Sequence, residues 1–155
     1  MIVGTRIIIA TEETPNKKPN IDELDLSRTN EAFLYGAALI AEKINARRIV
    51  TITHSGNSGA VISRFRPRTH VLGVTNVQKV ARKICLYWGI SPFYIDGGDS
   101  DDSAYLEFEI MELIKERLGI NPGDKIVVTR GEGPLFKSGE SNSLKVITVK
   151  NHIKQ

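Results

Sequence analysis

Residues 49–68, IVTITHSGNSGAVISRFRPR, constrain the fold of this chain more than any other stretch. Residues 49–53 are apolar or β-branched, which predicts a short buried strand. The polar residues 54–57 predict a turn. Apolar residues at helical spacing then predict a helix over residues 58–65 that ends before Pro67. A strand, a turn and a helix in succession are typical of sheets whose strands are connected by helices.

The turn between this strand and this helix has two interpretations. The first backbone N–H groups of a helix lack intrahelical partners, and the positive end of the helix dipole lies behind them, which predicts an anion-binding site. Alternatively, the side chain of Ser55, Asn57 or Ser58 caps those N–H groups and the turn serves only its own helix. The turn taken alone leaves both interpretations open.

The rest of the chain repeats the alternation of strands and helices. We predict further helices over residues 32–44, 76–85 and 104–118, and further strands over residues 70–75, 92–96, 125–129 and 144–149. Thr29 or Asn30 is the expected cap of the first helix, and the 97–102 loop is expected to cap the fourth. This order predicts an α/β fold with a mostly parallel sheet, helices on both faces and a last strand that runs antiparallel.

Two loops are predicted to lie at the same edge of that sheet. Ligands bind such sheets at the carboxyl ends of the strands, where the 54–58 turn and the 130–143 loop both begin. Hydroxyls and backbone amides would hold an anion there, while Gly56 would allow close approach and Arg130 would supply charge. The candidate anion-binding residues are Thr53, His54, Ser55, Gly56, Asn57, Ser58, Arg130, Gly131, Gly133, Lys137, Ser138 and Gly139.

Length and composition indicate one globular domain with an N-terminal extension. The 155 residues are 41% hydrophobic and 25% charged, which suits a single buried core. Residues 29–155 form the predicted α/β domain, and residues 1–28 are expected to add a strand over residues 3–10 and a polar arm. No apolar run approaches the roughly 20 residues of a membrane span, and we detect no signal peptide. We therefore expect a cytoplasmic protein that has no membrane partner.

Charge and surface patterns bear on the choice of partner. The net charge is only +3, with 21 Lys and Arg residues spread among 18 acids, which argues against nucleic acid. Arg64, Arg66 and Arg68 form a basic cluster, and the acids within residues 96–112, including Glu107, are interpreted as an opposing acidic face. The helix over residues 32–44 is apolar nearly all round, so we expect a homo-oligomer in which another chain covers it. Cys85 lies on an apolar stripe and is expected in the core.

Motifs for metal or catalytic chemistry are weak. The aspartates of residues 96–102 lack the EF-hand spacing, so we expect neither a metal site nor a required cofactor. His54 stands beside Ser55, but the Gly-x-Ser-x-Gly elbow of hydrolases does not occur in the sequence. The sequence leaves open the possibility that the protein is an enzyme of unknown class, and we assign no catalytic residue.

Six segments, taken in order, carry a resemblance to a known family. Residues 41–50, the turn Thr53-His-Ser-Gly-Asn-Ser58 and the stretch Ile62-Ser-Arg-Phe-Arg-Pro67 resemble parts of the carboxy-terminal domain of pyruvate kinase, and residues 86–92, 123–128 and 141–146 continue the likeness. The resemblance covers residues 31–149. It implies a three-layer α/β/α fold with a five-stranded mixed sheet whose last strand is antiparallel.

The resemblance also implies a regulatory role. In many pyruvate kinases this domain builds subunit contacts and holds a phosphorylated effector between the two loops described above. The catalytic barrel of the family has no counterpart in these 155 residues, so we expect a stand-alone domain that is not a pyruvate kinase by itself. Members that bind a sugar bisphosphate carry basic residues at the places of His54 and Asn57, which argues against a doubly phosphorylated ligand here.

Two main function classes follow from these observations. The first is a non-catalytic, regulatory module that binds an anionic small molecule, either a phosphorylated metabolite or a nucleotide. The alternative is an oligomerisation or interaction subunit of a separate enzyme. Binding of a phosphorylated compound to the isolated chain would favour the first class.

Overall fold

The computed structural model describes residues 26–96, 102–132, 134–137 and 139–150. The strand predicted over residues 3–10 and almost all of the predicted arm lie outside the described residues. The described elements, in chain order, are α1 (Thr29–Lys43), β1 (Arg48–Ile52), α2 (Asn57–Arg64), β2 (Val71–Thr75), α3 (Gln78–Ile84), β3 (Ile90–Tyr94), α4 (Ser103–Leu118), β4 (Lys125–Arg130) and β5 (Ser143–Thr148).

The five strands form one sheet in the order β3-β2-β1-β4-β5. β1 lies at its centre and pairs in parallel with both β2 and β4, so that Ile49 is opposite Val71 on one side and Val127 on the other. β3 extends the parallel part, and β5 runs antiparallel to β4. The predicted α/β fold with a mostly parallel five-stranded sheet and an antiparallel last strand is confirmed.

The helices cover both faces of the sheet, because successive strand side chains point to opposite faces. On one face Ile49, Val71 and Val127 pack in a buried cluster with residues of α1, α2 and α3. On the other face their neighbours along the strands, including Val50 and Val128, pack in a second cluster with α4. Full burial of one such side chain stabilises the fold by about 1.5–3 kcal/mol, so these two clusters hold the three layers together.

Two helix starts differ in how they are capped. α1 begins at Thr29 itself, and the residue before it, Arg28, makes no side-chain capping bond, so the predicted cap by Thr29 or Asn30 is wrong. α4 agrees with expectation, since the Asp102 carboxylate accepts hydrogen bonds from the amides of Ala104 and Tyr105. An aspartate at this position stabilises a helix by about 1 kcal/mol.

Two surface predictions have different outcomes. Cys85 is exposed, which corrects its expected place in the core. The reason is that α3 ends at Ile84, so the buried stripe of this helix stops at Ala81 and Ile84, and Cys85 follows as its C-cap. On α1, Leu39 and Ile40 are exposed, so the expected covering of this helix by another chain stays a prediction.

None of the helices in the described segments has the length and apolar character needed to cross a membrane.

Candidate functional site

The β1–α2 turn makes hydrogen bonds within itself. The amide of Gly56 donates to Thr53 Oγ1 at 3.0 Å, and the amide of Asn57 donates to Ser55 Oγ at 3.4 Å. The turn therefore caps part of its own helix, as the alternative interpretation expects for Ser55. A hydroxyl that accepts a hydrogen bond still carries a proton, so Thr53 and Ser55 keep the ability to donate to a ligand oxygen.

Gly56 is required by the geometry of this turn. Its φ angle is +82°, a left-handed conformation that side chains rarely adopt. A Cβ placed there would also lie 3.2 Å from Val80 Cγ1 and 3.6 Å from Ile84 Cγ1. Gly56 thus lets the turn pack against α3.

The β4–β5 loop is anchored by its own set of contacts. The amide of Glu132 donates to Asn142 Oδ1 at 2.7 Å, which joins the two limbs of the loop, and the amide of Leu135 donates to Ser103 Oγ at 3.2 Å. Leu135 and Phe136 are buried and belong to the cluster under α4. This middle part of the loop is therefore held against the body of the domain.

The two loops meet at a buried contact between hydroxyls. Ser58 Oγ lies 2.7 Å from Ser141 Oγ, and both residues are buried. Beside this contact is a cavity of about 260 Å³. Its lining includes eight of the twelve predicted site residues, namely Thr53, His54, Ser55, Ser58, Arg130, Gly131, Lys137 and Gly139.

The remaining four predicted residues lie elsewhere. Gly56 is turned towards α3, and Asn57 lines an adjoining cavity that shares Ser55, Ser58 and Gly139 with the first. Gly133 and Ser138 lie outside the described residues. Lining residues that the sequence analysis did not single out are Ile52, Glu132, Pro134, Leu135, Phe136 and Ser141.

Electrostatics at the cavity depend on Glu107, a buried residue of α4. Its carboxylate binds Arg130 Nε at 2.9 Å through one oxygen and Lys145 Nζ at 3.0 Å through the other. Glu107 is therefore buried, and its interpretation as part of an opposing acidic face is wrong. The reason is its position on the helix, since Glu107 precedes Ile110, Met111 and Ile114 by three, four and seven residues and shares their buried face.

This arrangement changes the role that Arg130 can play. Glu107 neutralises one of its two cationic partners, so Arg130, Lys145 and Glu107 together leave one net positive charge near the cavity. Arg130 also donates to the Gly131 carbonyl through Nη1 at 3.0 Å, which fixes the orientation of its guanidinium group. Lys137, by contrast, is an exposed cation at the same cavity.

The fold and this cavity define a class of protein: a three-layer α/β domain with a loop-lined cavity beyond the carboxyl ends of adjacent parallel strands. Residues 31–147 match the family described as "Pyruvate kinase, alpha/beta domain". The chain belongs to this family, which agrees with the resemblance seen in its sequence.

Curated relatives support the same assignment. The chain is 35% identical over 113 residues to a pyruvate kinase of Thermoplasma acidophilum, 33% over 121 residues to one of Clostridium acetobutylicum and 30% over 130 residues to one of Lactococcus lactis. These matches cover 73%, 78% and 83% of this chain. They cover only 20%, 25% and 25% of the relatives, so the chain spans between a fifth and a quarter of their length.

Proposed function

We propose that this domain binds a small phosphorylated or otherwise anionic metabolite in the cavity between the β1–α2 turn and the β4–β5 loop, and that binding is regulatory. The observation that carries the proposal is the convergence of Thr53, Ser55 and Lys137 on one cavity beyond the carboxyl ends of β1 and β4. Anionic ligands of parallel sheets bind at this edge, near the positive ends of helices.

The size and charge of the cavity favour a compact ligand. Its volume of about 260 Å³ is slightly below that of common small-molecule sites, which measure about 300–1,000 Å³. Glu132 lines the cavity and opposes negative charge, and Glu107 neutralises part of the charge of Arg130. These features favour a ligand with one phosphate group over one with two. The identities of His54 and Asn57 favour the same choice, because neither residue is a lysine or an arginine.

Binding strength requires several contacts to act together. Micromolar affinity corresponds to about 8 kcal/mol, whereas the start of a helix contributes about 0.3–1 kcal/mol to a nearby anion. Hydrogen bonds to a charged group are worth about 1.5–3 kcal/mol each. Lys137 together with the hydroxyls of Thr53 and Ser55 and apolar contact to Phe136 would supply the difference.

Isothermal titration calorimetry with glycerol 3-phosphate, a sugar monophosphate, a nucleoside monophosphate and a sugar bisphosphate tests the proposal. We expect at least one monophosphate to bind, and we expect Lys137→Met combined with Ser55→Ala to weaken it about tenfold or more. Lys83→Met, at an exposed lysine of α3, is the matched control because it removes the same charge away from the cavity. The proposal fails if no compound binds, or if the control weakens binding equally.

A second candidate function is supported by the outer face of α1. We propose that this face contacts another chain, as expected for an oligomerisation or interaction subunit of a separate enzyme. Leu39 and Ile40 are 43% and 38% exposed on adjacent positions of the helix. Multi-angle light scattering of the wild type and of Ile40→Lys tests this candidate. An oligomer that dissociates in the variant supports it, and a monomeric wild type rules out self-association.

A further inference from the structure

Another cavity lies at the opposite edge of the sheet from the candidate site. It measures about 590 Å³ and is lined by the end of α1, the α1–β1 turn, the start of β1 and the segment before β2. Parallel strands begin at this edge and end at the other, so the length of the strands separates this cavity from the candidate site. We call it the basic cavity; its lining residues include Glu42, Lys43, Arg47, Arg48, Arg68 and His70.

The charges that line the basic cavity are strongly unbalanced. Four cationic side chains face a single carboxylate among its lining residues, that of Glu42. One oxygen of this carboxylate accepts a hydrogen bond from the backbone amide of Arg68 at 2.8 Å. Three of these cations lie within residues 43–48, and the fourth, Arg68, comes from the segment before β2, so the fold joins two stretches of the chain at this cavity.

Arg48, which lines the basic cavity, carries an unsatisfied donor in its side chain. Its Nε atom is buried, yet within the described part of the chain it has no hydrogen-bond partner. Its Nη1 atom donates to the Arg47 carbonyl at 2.9 Å. A buried N–H of a cation that makes no hydrogen bond is costly, so native proteins rarely leave one without a partner.

Burial and neighbouring positive charge both act on Arg48 and His70 at the basic cavity. Burial first and the charge of Arg47 second lower the pKa of Arg48, although Asp124 partly opposes them. Burial and the charge of Arg48 lower the pKa of His70. Part of each shift comes from a neighbouring arginine, and a bound anion would offset that repulsion.

We propose that the basic cavity binds a small polyanion that carries linked phosphate groups, such as a diphosphate or a nucleoside polyphosphate. Arg48 and Arg68 reach it from β1 and from the segment before β2, and guanidinium groups match phosphate oxygens in geometry. A nucleic acid would need a wider basic face than a chain of net charge +3 provides. This site is separate from the one proposed above and takes a more highly charged ligand.

Inorganic diphosphate is the probe that tests this inference, with binding followed by calorimetry and by backbone amide shifts in nuclear magnetic resonance spectra. We expect shifts concentrated at Arg47, Arg48 and Thr69, with much smaller ones at His54 and Gly139 across the sheet. Arg48→Met and Arg68→Met should each weaken binding about tenfold. Arg82→Met, at an exposed arginine of α3, removes the same charge elsewhere and should leave the affinity within about twofold.

The contrary outcomes are distinct. Shifts confined to His54 and Gly139 would place diphosphate in the first cavity and overturn the inference. If Arg82→Met and Arg48→Met lose equal affinity for diphosphate, the effect is one of general charge, and this result also overturns the inference. A chain that ignores diphosphate but binds a long polyanion such as heparin or DNA would assign the basic face to a macromolecule instead. Arg68 is exposed, so Arg68→Met keeps the test valid if Arg48→Met does not fold.

Discussion

Ser58 Oγ and Ser141 Oγ lie 2.7 Å apart, although 83 positions separate the two residues in the chain. Ser58 belongs to the first turn of α2, and Ser141 lies at the end of the β4–β5 loop. Their contact joins the two loops that line the candidate site, and both residues are buried. It therefore links the shape of the cavity to the stability of the fold.

Removal of either hydroxyl at this contact should destabilise the protein. Ser58→Ala or Ser141→Ala leaves the other hydroxyl buried without this partner, and we expect each to lower the free energy of unfolding by about 1–3 kcal/mol. The double variant should lose less than the sum of the two single losses, because its second substitution removes a group that already lacks its partner. Urea unfolding measures all three. Fully additive losses would contradict a direct bond, and Ser143→Ala at the start of β5 is the control.

The carboxylate of Glu107 should be important for stability. Glu107→Gln removes the charge that both Arg130 and Lys145 contact, while it keeps the size of the side chain. We expect the free energy of unfolding to fall by about 1–3 kcal/mol. This is less than the cost of breaking a fully buried ion pair, because Lys145 is largely exposed. Urea unfolding of Glu109→Gln, an exposed acid of the same helix, should differ from the wild type by less than about 0.5 kcal/mol. Equal effects of the two substitutions would rule out a specific role for Glu107.

His70 should make stability depend on pH. Its pKa is lowered from the ordinary value of 6.5 by partial burial and by Arg48. The unfolded chain therefore binds a proton at a higher pH than the folded chain does. The folded state keeps its full stability above pH 6.5 and loses part of it as the pH falls from 6.5 through the lower pKa of folded His70. Urea unfolding at about pH 7.5 and about pH 5.5 measures how much the free energy of unfolding falls between the two conditions. We expect this fall to be smaller in His70→Gln than in the wild type. An unchanged loss in this variant would show that other groups cause the dependence.

Gly73 should resist substitution because α3 packs directly over it. A Cβ on Gly73 would lie 2.9 Å from Ile84 Cδ1 and 3.1 Å from Ile84 Cγ2, and Ile84 is fully buried. We expect Gly73→Ala to cost about 1–3 kcal/mol through overpacking. Gly36→Ala is the matched control, since nothing lies within 4 Å of the added atom. In that helix alanine should stabilise by up to about 1 kcal/mol. Thermal unfolding distinguishes the two, and equal shifts would contradict the packing argument.

Most of the fold could be predicted from the sequence because its signals are local. Runs of β-branched residues alternate with helical spacings, and the described elements from α1 to β5 match the predicted order. One strand boundary differs from its prediction, since β3 covers Ile90–Tyr94 and so begins two residues before its predicted place. Its register against β2 sets that position, and the register aligns Pro92 with Gly73. Proline is tolerated there because β3 is an edge strand.

The candidate site could be predicted only in part. We selected twelve residues by the rule that ligands bind at the carboxyl ends of parallel strands, and eight of them line one cavity. Ser141 and Glu107 were missed as members or partners of that site. Glu107 had a detectable signal, because it shares a helix face with Ile110 and Ile114, whereas nothing local marks Ser141 as the partner of Ser58.

The sequence by itself determined the alternation of strands and helices, and with it the three-layer fold and the edge at which two loops emerge. These follow from residue periodicity and from the chirality of strand connections, which act over short stretches of chain. Only the tertiary structure decided that Glu107 binds Arg130, that Cys85 is exposed and that Arg48 and Arg68 line one cavity. Such relationships depend on strand register and on packing between distant segments, so no local pattern specifies them.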